Sequence, residues 1–141
     1  MAKRFEQLSN KPSYMKHNGG LLFRSITKKK FEFKTKIKKS HLNKAGITHG
    51  GYICTIIDAG AGTAAHRSTD NSPCVTISLE LKFISPVKLG QELFGKTKIQ
   101  KKTRSMVFLN CKLSCKNKLI SSALGIWKIL KRPLPNAGLG G

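Results

Sequence analysis

Between His49 and His66 the chain reads HGGYICTIIDAGAGTAAH, and Asp58 is the one ionisable carboxylate in that run. Ile53, Ile56, Ile57, Ala61, Ala64 and Ala65 recur at helical spacing, and the opposite face is nearly as apolar. A helix apolar all round is a buried helix. The run is too short, too rich in Gly and Ala, and too interrupted by Asp58 to span a bilayer. The expectation is therefore a central core helix with a carboxylate buried on it. Such a group is costly unless it is paired, hydrogen-bonded or used. The start of the helix is also distinctive, because His49-Gly50-Gly51 leaves backbone N–H groups bare where the first helical donors lack partners. That arrangement suits an anion or a developing oxyanion.

The rest of the chain reads as a wrapper for this helix. Residues 1–20 form a polar, basic N-terminal arm ending at the turn signal Asn18-Gly19-Gly20. Leu21 to Ile26 reads as a strand, with Lys28-Lys29-Lys30 as a charged connection. From Phe31 to Ile37, Phe31, Phe33, Thr35 and Ile37 alternate with Glu32, Lys34 and Lys36, a half-buried strand. A loop over 38–48 delivers the chain to the helix. Val75, Ile77, Leu79, Leu81 and Phe83 then alternate with polar residues up to the break at Ser85-Pro86. Further strands are expected over 93–101, 106–115 and 119–130, and residues 131–141 read as a flexible tail. The fold class is α+β: an antiparallel sheet of five to six strands, the last four in hairpin succession, around one helix. One domain over 21–130 accounts for the core. A single helix cannot easily cover that many strands, so a sheet edge or face is expected to meet a second subunit.

Charge narrows the partners. The chain has 141 residues with Lys+Arg 27 against Asp+Glu 6, a net charge of +21, and 22 of the cations are lysine. Positive charge attracts nucleic acid, acidic lipid or a phosphorylated ligand, but these lysines are scattered over the whole chain, as on a solvated surface. With aromatics at 7%, five arginines and no helix-turn-helix or RNA-binding strand motif, nucleic acid is not the expected partner. The N-terminus has no apolar signal region, and no stretch reads as a membrane span. Cys54, Cys74, Cys111 and Cys115 form no CxxC pair, which suits free thiols in a reducing cytoplasm. Histidines 17, 41, 49 and 66 show no ligand spacing with them, so no metal is expected.

His41-Leu42-Asn43-Lys44-Ala45-Gly46-Ile47-Thr48-His49-Gly50-Gly51, with Asp58 eight residues after the first helix glycine, resembles the hotdog-fold acyl-CoA thioesterases of the phenylacetyl-CoA (PaaI) type. Mammalian mitochondrial-associated acyl-CoA thioesterases share this motif. Val75-Thr76-Ile77, Phe83 to Gly90 and Ala123-Leu124-Gly125-Ile126-Trp127 are similar to the family's later strands, so the likeness covers about residues 20–130. It implies hydrolysis of an acyl-CoA to free acid and CoA, with no cofactor beyond the coenzyme A of the substrate.

The resemblance also implies roles. Backbone N–H groups of Gly50 and Gly51 fit an oxyanion site, and Asp58 a general base or nucleophile. Asn43 suits a bond to the carbonyl or to the attacking water, or else a loop Asx-turn; His49 suits donation toward the thioester or orientation of the loop, and Thr76 matches a hydroxyl residue that holds the water in some relatives. Tyr52 and Phe83 are expected to flank the acyl group. Lys88, with Arg104 and Ser105 in the turn after residue 101, lies in regions that line the nucleotide in relatives; Thr103 stands where relatives usually carry Gly or next to it. Helix geometry adds a constraint of its own. Eight residues separate Gly50 from Asp58, about 12 Å along the axis, whereas a base must come within about 3 Å of what it activates, or one water away. A complete site therefore needs two chains, which predicts a homodimer or a dimer of dimers (a homotetramer). A non-catalytic acyl-CoA-binding or regulatory module on the same fold is the competing class.

Overall fold

The structure, a computed structural model, describes residues 3–131, so all of the 131–141 tail except Lys131 lies outside the described residues. The elements are β1 (Glu6–Gln7), α1 (Tyr14–His17), β2 (Leu22–Ser25), β3 (Lys30–Lys36), α2 (Gly50–Ser68), β4 (Cys74–Phe83), β5 (Glu92–Lys102), β6 (Met106–Cys115) and β7 (Lys118–Ile129), with a 3-10 turn at Lys39–His41. One antiparallel sheet of seven strands runs in the order β1-β2-β3-β5-β6-β7-β4. The seventh strand is the two-residue β1 of the N-terminal arm; the other six match the expected number.

Strand periodicity holds on β3 and β6. On β3 Phe31, Phe33 and Thr35 are buried, and on β6 Val107, Leu109, Cys111, Leu113 and Cys115 are, because one face of each packs on α2 while the other meets water. Phe33 lies between two glycines. A Cβ at Gly60 on α2 would come within 2.4 Å of its ring, and one at Gly95 on β5 within 2.3 Å. Helix and sheet approach closely here because neither presents a side chain. Tyr52 crosses the same interface, and its hydroxyl shares a hydrogen bond of 3.0 Å with Thr35 Oγ1.

Two expectations about β4 are corrected. It does not form a hairpin with β5. It lies at the far edge beside β7, and β5 enters between β3 and β6. Nor does it alternate strictly, because a bulge falls between Thr76 and Ser78, whose partners on β7 are the adjacent residues Trp127 and Ile126. Ile77 is the extra residue and is 51% exposed. The bulge reverses the phase of the strand. Cys74 and Thr76 face the helix before it, and Leu79, Leu81 and Phe83 turn to that side after it.

The N-terminal arm is packed against the domain. Ser13 caps α1, with its Oγ accepting from Lys16 N–H, and Met15 is buried in the core. Glu6 pairs with Arg67 at 2.6 Å.

Candidate active site

The start of α2 is held by a closely tied loop. His49 N–H donates to His41 O at 2.8 Å, Thr48 N–H and Oγ1 both donate to Val87 O, and Asn43 N–H donates to Ile47 O. Gly46 closes the loop at φ +80, a left-handed conformation that suits glycine. His41, the first residue of the motif, organises this loop, although sequence reasoning assigned it no role. Its Nδ1 accepts from Lys38 N–H at 3.0 Å, which leaves Nε2–H to donate to Asn18 O at 2.7 Å. Its ring stacks on Tyr52, centroids 3.7 Å apart and 12° from parallel. Burial lowers its pKa below the ordinary histidine value, against the opposing effect of the Asn18 carbonyl.

The two glycines are not equivalent. Gly51 N–H donates to His49 Nδ1 at 2.8 Å, so His49 is the N-cap and that donor is occupied. Gly50 N–H has no hydrogen-bond partner among the described residues. Gly50 lines a cleft of about 370 Å³ whose walls also include Asn43, Ile53, Phe83, Pro86 and Ile120. Asn43 Oδ1 accepts from Ala45 N–H at 2.9 Å and from Ile47 N–H at 3.3 Å. That pins the amide orientation and leaves its Nδ2 protons to donate into the cleft. Gly50 N–H and Asn43 Nδ2 are thus two donors at one mouth, and Phe83 closes over them: a Cβ on Gly50 would stand 3.3 Å from its ring.

Asp58 is exposed in the single chain, contrary to the buried position expected from the apolar run. Gly51, Thr55 and Asp58 fall within about 60° around the helix, and small residues there leave a stripe of α2 that the sheet covers only in part. Thr76 Oγ1 donates to Asp58 Oδ1 at 2.7 Å, bringing together two residues singled out in the sequence. Four of the six acidic residues, Glu6, Glu32, Asp70 and Glu80, lie in ion pairs. Among the described residues Asp58 has no cation within salt-bridge distance, despite the surplus of positive charge. An ionised carboxylate held by one hydroxyl keeps lone pairs free to accept a proton.

Lys88 and Arg104 do not come together in one chain. Lys88 sits beside the start of β5, near the Thr48–Val87 contact, whereas Arg104 and Ser105 follow its end in the β5–β6 turn. Eleven residues of strand at ~3.3 Å each put them about 36 Å apart along β5. Lys102 Nζ donates to Ser68 O at 3.0 Å, which places that turn at the C-terminal end of α2, away from Gly50. In the turn, Thr103 Oγ1 accepts from Ser105 N–H and Met106 N–H, and so does by side chain what a glycine turn does by conformation.

The family model of the thioesterase superfamily matches residues 45–120, from the loop before α2 to the start of β7. The chain belongs to the thioesterase superfamily. As a thioesterase it is a thioester hydrolase. Over 95 residues it is 32% identical to a Pseudomonas aeruginosa protein named for esterase activity, covering 67% of this chain and 71% of that one. It is 28% identical to mouse acyl-coenzyme A thioesterase 13 over 81 residues, 57% of this chain and 58% of that relative's length. The crystal structure of zebrafish thioesterase superfamily member 2 superposes with a TM-score of 0.79 at 21% identity, covering 87% of this chain and 91% of that one. The hotdog fold expected from the motif is therefore the fold of this thioesterase.

Proposed function

We propose that the protein hydrolyses acyl-CoA thioesters in a site completed by two chains. The observation that carries this reading is the unpartnered Gly50 N–H, which shares the mouth of a cleft with the Asn43 amide. Both donors suit the thioester oxygen as it becomes an oxyanion, each worth on the order of 3 kcal/mol. The base is Asp58 of the partner subunit, because Asp58 of the same chain stands about 12 Å away along the helix. It takes a proton from water as the water oxygen bonds the carbonyl carbon. When the tetrahedral adduct collapses, the C–S bond breaks and CoA leaves as the thiol, protonated by the same carboxyl. Attack by the carboxylate itself, through a mixed anhydride, uses the same contacts. Thr76 holds the carboxylate in either route, and His49 keeps the helix start in place.

The coenzyme arm fits the cleft beside Phe83 and Pro86, with Lys88 beyond its mouth. Arg104 and Ser105 reach the same coenzyme only from the other subunit of a homodimer. The name of the mouse relative supports acyl-CoA as the substrate class. A non-catalytic binder would have no use for an unpaired carboxylate, which argues against that class.

Asp58→Asn tests the reading. Its Oδ1 still accepts from Thr76, so the fold is kept, while kcat on acyl-CoA thioesters should fall by at least the roughly 10²-fold typical of lost general-base catalysis. Mixing Asp58→Asn chains with Gly50→Pro chains, which lack that N–H, should restore part of the activity. Each mixed dimer then holds one intact pairing of Gly50 with Asp58. Full turnover by Asp58→Asn overturns the assignment of the base. Two folded, exchanging variants that recover nothing on mixing overturn the two-chain site.

A further inference from the structure

The N-terminal arm lies outside the residues that the family model matches, yet it reaches the working face of α2. Tyr14 hydroxyl is 3.1 Å from Thr55 Oγ1. Thr55 has a single hydroxyl proton and gives it to Gly51 O at 3.0 Å, so Tyr14 is the donor to Thr55. The polar end of Tyr14 is thereby occupied, while the residue as a whole remains 66% exposed. What it offers the surface is the apolar face of its ring. Its backbone and hydroxyl are held in place. Met15 is anchored in the core, Ser13 caps the turn, and Asn18 Nδ2 donates to Tyr14 O at 2.8 Å. Asn18 O in turn accepts from His41, the residue that holds the oxyanion loop. Asn18 thus ties the arm to the loop through hydrogen bonds.

Thr55 lies one turn beyond Gly51 and about one turn before Asp58, on the same partly covered stripe. The stripe has two flanks: Thr76 and Phe83 of β4 stand on one, and Tyr14 on the other. A thioester bound by its carbonyl oxygen at Gly50 sends two arms in different directions. If the coenzyme arm takes the cleft on the Phe83 side, the acyl arm runs along the stripe toward Thr55.

From this geometry we infer that Tyr14 is a specificity-determining residue, its ring forming the wall against which the acyl group packs. The inference rests on the acyl-CoA reading above. Because the hydroxyl proton is already given to Thr55, the wall suits unsubstituted alkyl or phenyl acyl groups, and an acyl group ending in a carboxylate finds no free donor there.

The test is a hydrolysis panel of straight-chain and aryl acyl-CoA thioesters with wild type, Tyr14→Phe and Tyr14→Ala, the released thiol being measured. The shortest acyl group that the wild type turns over does not reach Tyr14 and serves as the internal control. Tyr14→Ala should change kcat/KM for longer acyl groups by about tenfold relative to that control, the scale of a lost or gained apolar pocket contact. Tyr14→Phe keeps the ring and should keep the wild-type profile. Thermal melts of all three should agree closely, since the ring is exposed. An unchanged ratio across the panel in Tyr14→Ala, or an equal loss on every substrate including the control, overturns the inference and leaves the thioesterase reading standing. A wild type that hydrolyses none of the panel overturns both.

Discussion

Gly60→Ala offers a test of how α2 is seated, two residues on from Asp58. The added Cβ would stand 2.4 Å from the Phe33 ring, and the ring has little room to retreat because it already fills the space a Cβ at Gly95 would take, 2.3 Å from that position. Overpacking a filled core costs about 1–3 kcal/mol. Alanine for glycine inside a helix returns about 1 kcal/mol. The net expectation is a destabilisation of up to about 2 kcal/mol, or up to about 8 °C in Tm for a chain of this size. The informative comparison is with the same change made in a Phe33→Leu background, where the clash is gone and only propensity remains. There Gly60→Ala should be neutral or stabilising by up to about 1 kcal/mol. Urea unfolding at one fixed protomer concentration measures both, because self-association makes apparent stability concentration-dependent. An equal cost in the two backgrounds would refute the clash as its origin, as would a stabilisation in the wild type.

Two further expectations concern the loop and the coenzyme. His41 has a lowered pKa in the folded state, so the unfolded chain binds the proton more readily. Its neutral form supports the fold fully above the ordinary value of 6.5, and that support is lost as pH falls from there through the lowered folded value. His41→Gln should remove this component of the acid slope in urea titrations run at several pH values, and an unchanged slope would exclude His41 as its source. Lys88→Ala and Arg104→Ala should each raise KM with kcat little altered, as for lost uniform binding. Because the two side chains sit at opposite ends of β5, mixing the single variants should create some sites with wild-type KM; uniformly weak binding after subunit exchange would count against coenzyme contacts drawn from two chains.

Local chemistry was legible in the sequence, and pairing was not. The alternation of β3 and β6 read correctly because both strands are central, with one face committed to the core. α2 read correctly because its Ile and Ala spacing leaves no other arrangement. Asp58 was misplaced because Gly51 and Thr55 count as small and nearly apolar along the chain, yet in space they leave the helix surface around Asp58 partly open. The place of β4 beside β7 depends on contacts some fifty residues apart, which no periodicity records. The motif supplied Asn43, His49, Gly50 and Asp58, but not the division of labour between the two glycines, which depends on where one imidazole points. Tyr14 carried no signal beyond a serine able to cap the turn before it, because its importance comes from packing between distant segments.

The bulge at Ile77 lets one strand answer to two different partners. β7 dictates the register of the whole of β4, while α2 needs a hydroxyl on its own side at one end and a ring on the same side at the other. Seven residues separate Thr76 from Phe83, an odd interval that an unbroken strand would place on opposite faces. One supernumerary residue removes the conflict. The register of β4 is therefore as constrained as its composition: a strand that took Ile77 into the ladder as an ordinary residue would gain strict alternation and turn either Thr76 or Phe83 away from the helix it serves.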